Sequence, residues 1–189
     1  VTRQSTRFNS PEYLRAWQLQ GQWPAIHNAM TDFALANMRG SFLLDLGCSY
    51  GLLGARIAME AGGLACAGID ADAKVVEAAV EAGVPMRFHV LSVNKDTLPD
   101  LEKILTVSRP KTMIARRVLP ELWGYDLEGG RAFVELLAAS GLREIFLEGR
   151  VASERATNPL RSIDDEVTLL SPRYREVTRS KALSYLVLR

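Results

Sequence analysis

Short apolar runs alternate with amphipathic stretches from residue 41 onward, and the alternation predicts strands and helices in turn. Ser41–Leu46 (SFLLDL) is an apolar run of strand length that leads into a glycine-bearing loop. Leu52–Ala61 follows with Leu53, Ile57 and Ala61 at helical spacing, and Gly62-Gly63 closes it. Leu64–Ile69 is a second apolar run. Asp72 then occupies an N-cap position for a helix over Ala73–Ala82, with Val75, Val76, Ala79 and Val80 as its buried stripe and Gly83 as its stop. Pro85–Leu91 predicts a third strand, Leu98–Val107 a helix carrying Leu101, Ile104 and Leu105, and Thr112–Ala115 a fourth strand. Arg131–Ser140 predicts a helix with Phe133, Leu136 and Leu137 inward and a stop at Gly141; Arg143–Leu147 predicts a fifth strand.

Such alternation with short connections is the pattern of an α/β fold, a parallel sheet with helices on both faces. The ends differ. Residues 11–38 carry helix-like spacing through Tyr13, Leu14, Trp17, Ile26, Met30 and Phe33, which predicts one or two helices before the first strand. Tyr174–Thr178 and Ala182–Leu188 read as two strands joined by a charged turn, so an antiparallel hairpin would complete a seven-stranded, mostly parallel sheet. No internal repeat, low-complexity tract or linker divides the chain, and 1–189 reads as one domain.

Composition narrows the classes. The 189 residues carry 23 Lys plus Arg against 22 Asp plus Glu, a net charge of +1, and nearly half are hydrophobic. That excludes a disordered tail, a collagenous repeat and a coiled coil. The longest charge-free stretch, Ala16–Thr31, is too polar to span a bilayer, and no basic-apolar-small leader opens the sequence. Cys48 and Cys66 cannot make a disulfide framework and read as buried apolar residues in a reducing cytoplasm; with only His27 and His89, no metal site is expected. The charge is uneven: residues 45–149 hold eleven basic and fifteen acidic side chains, while both flanks are net basic. This is not a nucleic-acid-binding footprint, and nucleic acid is possible as a partner but not favoured. No membrane partner is expected.

The segment with chemical content is Leu43–Asp72. Asp45 closes the first strand, Gly47 and Gly51 shape the following turn, and a helix starts with its unpaired N–H groups. Asp70 closes the next strand, where an acid can accept both ribose hydroxyl protons. The pattern is D-x-G-x-x-x-G, without the tight glycine cradle a pyrophosphate favours. An Asp beside the loop repels phosphate but suits an ammonium group, so the implied ligand is a nucleoside with an amino-acid tail.

On Asp45-Leu46-Gly47-Cys48-Ser49-Tyr50-Gly51 and Asp70, the sequence resembles the class I S-adenosylmethionine-dependent methyltransferases. The resemblance covers about thirty residues as motif and most of the chain as topology. It implies a Rossmann-like three-layer sandwich over 41–189, with 1–40 as an N-terminal helical segment or lid. It implies S-adenosyl-L-methionine as cofactor, with Asp45, Gly47 and Gly51 at the methionine end, Cys48 and Ser49 giving backbone contacts, Asp70 holding the ribose and Ala71 bordering the adenine. A polar group for the adenine amine would come from Ser92, with Asn94 and Asp96 as the other candidates.

The acceptor leaves less trace, because displacement on a sulfonium needs mainly alignment and, for weak nucleophiles, a base. The segment Ala115–Trp123 contains no Asn/Asp-Pro-Pro-aromatic motif of the kind that accompanies amide or base methylation. Arg116 or Arg117 would bind an anionic acceptor, or instead pair with Glu148; Glu121 would act as base, or be an exposed helix-turn carboxylate. Trp123 and Tyr125 would wall a pocket or pack under the next loop. His27, in the lid, is a further base candidate, and His89 reads as an ordinary strand histidine. The leading reading is a methyltransferase acting on a small molecule or an exposed anionic group. The alternatives are a non-catalytic S-adenosylmethionine-binding module and, less well matched, a nicotinamide-dependent dehydrogenase.

Overall fold

Five parallel strands, four of them buried almost continuously because both faces are covered, pair side by side and carry the rest of the chain on their two faces. The computed structural model describes residues 11–149, 159–160, 162–180 and 185–189. Strands β1 (Phe42–Leu46), β2 (Ala65–Asp70), β3 (Arg87–Val90), β4 (Thr112–Arg116) and β5 (Glu144–Glu148) are parallel; β7 (Tyr185–Leu188) runs antiparallel to β5, and β6 (Glu176–Arg179) pairs with β7 at the edge. The sheet order is β3-β2-β1-β4-β5-β7-β6. This is the expected seven-stranded α/β sandwich with its C-terminal hairpin. Residues 1–10 of the expected N-terminal segment and 182–184 of the expected last strand lie outside the described residues.

Alternation sorts the strand residues into two cores. Leu44, Leu46, Ala67, Ile69, Met113, Ala115, Ile145 and Leu147 face one way and meet α5 (Leu98–Ser108), α7 (Leu127–Ala139) and α8 (Ile163–Leu170). Leu43, Cys66, Ile114, Phe146 and Val187 face the other way and meet α2 (Asn28–Asn37) and α3 (Leu52–Glu60). Fully burying each large side chain contributes about 1.5–3 kcal/mol. A third cluster joins Leu14 of α1 (Pro11–Gln20) to Tyr50, Leu52, Ala55 and, on α4 (Ala73–Glu81), Val75 and Ala79. The N-terminal segment is thereby packed onto the loop after β1.

The amino end of the sheet is pinned by one carboxylate. Glu144 Oε1 accepts the backbone N–H groups of Arg39 and Gly40 at 2.8 and 2.7 Å and the Thr112 hydroxyl at 2.7 Å, and Oε2 meets Arg189 Nε at 3.2 Å. Burial alone would push this carboxyl up, but those donors outweigh it and hold it below the usual range. A Cβ at residue 40 would lie 2.0 Å from Thr112 Oγ1, so the α2–β1 connection requires glycine there.

Four local expectations are corrected. Val80 is 58% exposed and drops out of the α4 stripe, because α4 packs at the β3 edge of the sheet and buries only Val75, Val76 and Ala79. The fifth connecting helix begins at Leu127 rather than Arg131: Asp126 caps it by accepting the Gly129 N–H at 2.9 Å, and Gly129-Gly130 let Trp123 pack against it. The segment after β4 contains a short helix, α6 (Leu119–Trp123), and of the two options for Trp123 the structure selects packing: it is fully buried against Phe133. Finally α8 arises from a reciprocal Ser162–Asp165 capping box that the spacing reading passed over. No helix among the described residues is long and apolar enough to cross a membrane.

Candidate functional site

Strand order reverses between β1 and β4, and in open α/β sheets the ligand crevice lies outside the carboxyl ends at such a point. The register decides which side chains arrive there. Asp45 lies opposite Gly68 on one side and Ile114 on the other, and Arg116 lies opposite Glu148. Because alternate residues share a face, Asp45, Asp70, Arg116 and Glu148 all project on the α2–α3 face, directly above the Leu43, Cys66, Ile114 and Phe146 layer. Apolar below and charged at the rim, this face ends in a polar row spanning four strands.

The loop after β1 is built from left-handed backbone: φ is +70° at Gly47, +52° at Ser49 and +71° at Gly51. It is anchored inward, with the Gly47 and Cys48 N–H groups both donating to Ile69 O, at 2.8 and 3.0 Å. The two glycines answer to packing. A Cβ on Gly47 would meet Val118 Cγ2 at 2.8 Å, and one on Gly51 would meet Met86 Sδ and Phe88 Cζ at 2.8 Å. Ser49 is no glycine, and its N–H donates to Asp70 Oδ2 at 2.7 Å while the Asp72 N–H donates to Asp70 Oδ1 at 2.9 Å. Asp72 in turn caps α4, as its position predicts.

Asp45 is 2% exposed and accepts the Gly54 N–H at 3.0 Å. Its carboxyl is pushed up to about 7, chiefly by burial and further by the Asp70 charge; the Gly54 N–H and Arg116 act against this. A buried carboxyl so poised gains from a cation placed beside it. Asp70 has one N–H donor on each oxygen, and a carboxylate has about four acceptor sites, so its outer lone pairs remain open to a diol. Cys48 is buried, its thiol pushed up by burial and by Asp45 and Asp70, which fits a packing residue rather than a nucleophile. The residues therefore suit a nucleoside carrying an ammonium tail.

The other expected site residues are placed as follows. Ala71 is exposed at the β2 end. Ser92 is exposed after β3, and its carbonyl accepts from the Thr97 hydroxyl at 2.8 Å and Asn94 Nδ2 at 3.0 Å. Asn94 is committed to capping the following turn, and Asp96 is exposed. Glu121 is an exposed residue of α6. Arg116 and Arg117 both meet the buried Glu148: Arg116 through its Nε on Oε2, and Arg117 Nε on Oε1 at 2.7 Å. His27 is pushed down to about 3 by burial and then by the charges of Arg116 and Arg56, and its Nδ1 is buried without a partner. No group of three metal-ligating side chains occurs among the described residues.

Arg56 is the residue that sequence reasoning missed. It projects from α3, bonds Asn28 Oδ1 at 2.6 Å and Glu60 at 2.8 Å, and so ties α2 to α3 next to His27. A single basic residue within the apolar body of the helix, LLGARIAME, with Glu60 one turn on, was the available signal.

No protein-family model and no curated protein matches the sequence. Solved structures do. The chain is similar to the bifunctional kinase–methyltransferase WbdD, with a TM-score of 0.60 and 16% identity over 91% of this chain and 40% of that one. Human N-acetylserotonin methyltransferase, in complex with S-adenosylmethionine, gives a TM-score of 0.60 and 13% identity over 94% of this chain and 55% of that one. A TehB-like S-adenosylmethionine-dependent methyltransferase from Corynebacterium glutamicum gives 0.58 and 15%, over 96% of both chains. The chain thus spans two-fifths to just over half of the first two. At these identities the likeness is one of architecture: the chain is built on the class I methyltransferase fold.

Proposed function

We propose that the chain binds S-adenosylmethionine at the carboxyl ends of β1 and β2 and transfers its methyl group to a small molecule or an exposed anionic group of a larger partner. The observation that carries this reading is the meeting of Asp45, Ser49 and Asp70, two acids joined through a left-handed loop at the switch point of the sheet. When bound, S-adenosylmethionine supplies a methyl group already activated on a sulfonium.

The protein's share is then placement. Asp70 takes the ribose hydroxyls on its outer lone pairs, and Asp45 takes the ammonium as a carboxylate. Gly47, Cys48, Ser49 and Gly51 set the course of the loop, and Ala71 and Ser92 border the adenine. The N-terminal helices act as a lid, which their packing of Leu14 against Tyr50 and Leu52 supports. Calorimetric titration with S-adenosylmethionine and S-adenosylhomocysteine tests the reading. Binding of both is expected, and a folded protein that takes up neither ends it.

One observation favours the second reading, a non-catalytic S-adenosylmethionine-binding module. His27, the histidine nearest the acceptor side, is held neutral with little basicity. Cofactor binding with no methyl transfer across a broad acceptor panel would select that module.

A further inference from the structure

We propose that the amino end of the sheet, opposite the crevice at its carboxyl ends, is a docking face for an anionic phospholipid surface. Strand register assembles a basic row there. In sheet order, Arg39 precedes β1, Lys111 precedes β4, Arg143 precedes β5, Arg189 follows the antiparallel β7 and Arg175 precedes β6. Backbone bonds tie these strand ends together. The Lys111 N–H donates to Phe42 O at 3.0 Å, the Arg143 N–H donates to Lys111 O at 3.0 Å, and Arg175 and Arg189 exchange N–H···O bonds at 2.7 and 2.8 Å. Neighbouring strands stand about 4.8 Å apart, so a row across five of them is roughly 20 Å long. Arg109, which follows α5 as its C-cap, adds a further charge two residues before Lys111. A net charge of +1 conceals this row, because segments far apart in sequence supply it.

Few of these charges are answered within the chain. The side chains of Arg39, Arg109, Arg143 and Arg175 are exposed and make no hydrogen bond or ion pair among the described residues. Glu144, the buried carboxylate at this end, already takes the Arg39 and Gly40 N–H groups, Thr112 and Arg189. Glu60 and Glu176 are paired with Arg56 and Arg179, each at 2.8 Å, and Glu81 lies toward the β3 edge, outside the row. Helix C-termini that end here favour some basic residues, but they do not account for aliphatic ones. Met59, Val80 and Val107, each next to last in α3, α4 and α5, are 53%, 58% and 74% exposed at this same end. A groove of about 440 Å³ also opens here, lined by Arg39 and Glu60 together with Leu35, Met38, Ala61 and Leu64. Free guanidinium groups among aliphatic side chains suit a surface that is anionic at its heads and aliphatic beneath, which is the chemistry of a phospholipid layer. Single-stranded nucleic acid would call for aromatic stacking, and no aromatic side chain among the described residues is exposed at this end. Docking by this face leaves the crevice at the carboxyl ends open to water.

Sedimentation of the full chain with vesicles tests this, using phosphatidylcholine alone and an equal mixture of phosphatidylcholine and phosphatidylglycerol. The wild type should bind the anionic vesicles and leave the neutral ones. Arg143→Gln and Arg175→Gln should each weaken that binding about fivefold, and the difference should fade as salt is raised. Val107→Gln should weaken it at low and high salt alike, because its share is buried apolar surface. All three side chains are exposed, so the variants should melt at the wild-type temperature. Equal binding to both vesicles, binding to neither, or arginine variants that bind as the wild type does overturns the proposal. Wild-type affinity in Val107→Gln overturns it too, in favour of a purely ionic contact. Duplex DNA and polyglutamate are titrated in the same buffer; if either binds and the anionic vesicles do not, the face serves nucleic acid or an acidic protein and the lipid assignment falls. None of these readouts involves S-adenosylmethionine, so their failure and the failure of the methyltransferase reading are distinguishable.

Discussion

Asp70 Oδ2 accepts the backbone N–H of Ser49 at 2.7 Å, across 21 residues of sequence. The end of β2 and the loop after β1 are therefore one mechanical unit, and the acid assigned to the ribose also holds a non-glycine residue at φ +52°. Asp70→Ala should weaken S-adenosylhomocysteine binding by about 1–3 kcal/mol, roughly 5- to 150-fold, through the lost charged acceptor. It should also lower thermal stability, because the Ser49 N–H loses its partner. Calorimetry and thermal unfolding on the same sample check both, and unchanged affinity would remove Asp70 from the site.

Cofactor affinity should depend on pH through Asp45. Its carboxyl is held near 7 chiefly by burial, and an ammonium ligand favours the ionised form. Binding of S-adenosylhomocysteine should tighten as pH rises to about 7 and level off above, with up to about a tenfold change per unit below. Titrations at about pH 6 in two buffers of different ionisation heat should show proton release, and Asp45→Asn should bind more weakly with a flatter profile. Equal wild-type affinity at about pH 6 and about pH 8 would exclude the Asp45–ammonium pairing.

Asp45 and His27 impose opposite slopes on stability. His27 is lowered from 6.5 to about 3, so between those values the unfolded chain holds a proton that the native chain does not, and stability rises with pH. Asp45 is raised from 3.8 to about 7, so the native chain holds the extra proton, and stability falls with pH across that window. The two largely cancel where the windows overlap. His27→Gln should therefore lose more melting temperature than the wild type as pH rises from about 4.5 to about 6.5, and Asp45→Asn should gain over the same range. Parallel curves for all three proteins would refute both assignments.

These relationships divide by how far along the chain they act. The strands and the positions of Asp45, Asp70 and Asp72 were legible because alternation and N-capping are local. The Ser49–Asp70 bond and the Arg116–Glu148–Arg117 cluster depend on strand register, which one sequence does not state; the pairing with Glu148 stood only as one of two options. The helix expected from Arg131 starts at Leu127, and its Gly129-Gly130 serves the close approach of Trp123 to α7, a tertiary reason invisible to propensity. Val80 carried the apolar signal of a buried position, but α4 covers only the sheet edge.

The Gly47–Val118 contact joins the loop after β1 to the segment after β4, and it can be measured. A Cβ at residue 47 would stand 2.8 Å from Val118 Cγ2, on backbone at φ +70°. Gly47→Ala should destabilise by about 2–4 kcal/mol, part from left-handed backbone and part from overpacking against Val118. Val118→Ala opens the space, so the double variant should recover the steric part and leave the backbone part, a coupling of about 1–2 kcal/mol in a double-mutant cycle. Gly47→Ala should also disturb S-adenosylhomocysteine binding, and the double variant should restore it. Strict additivity in denaturant unfolding would show that the two loops do not press on each other.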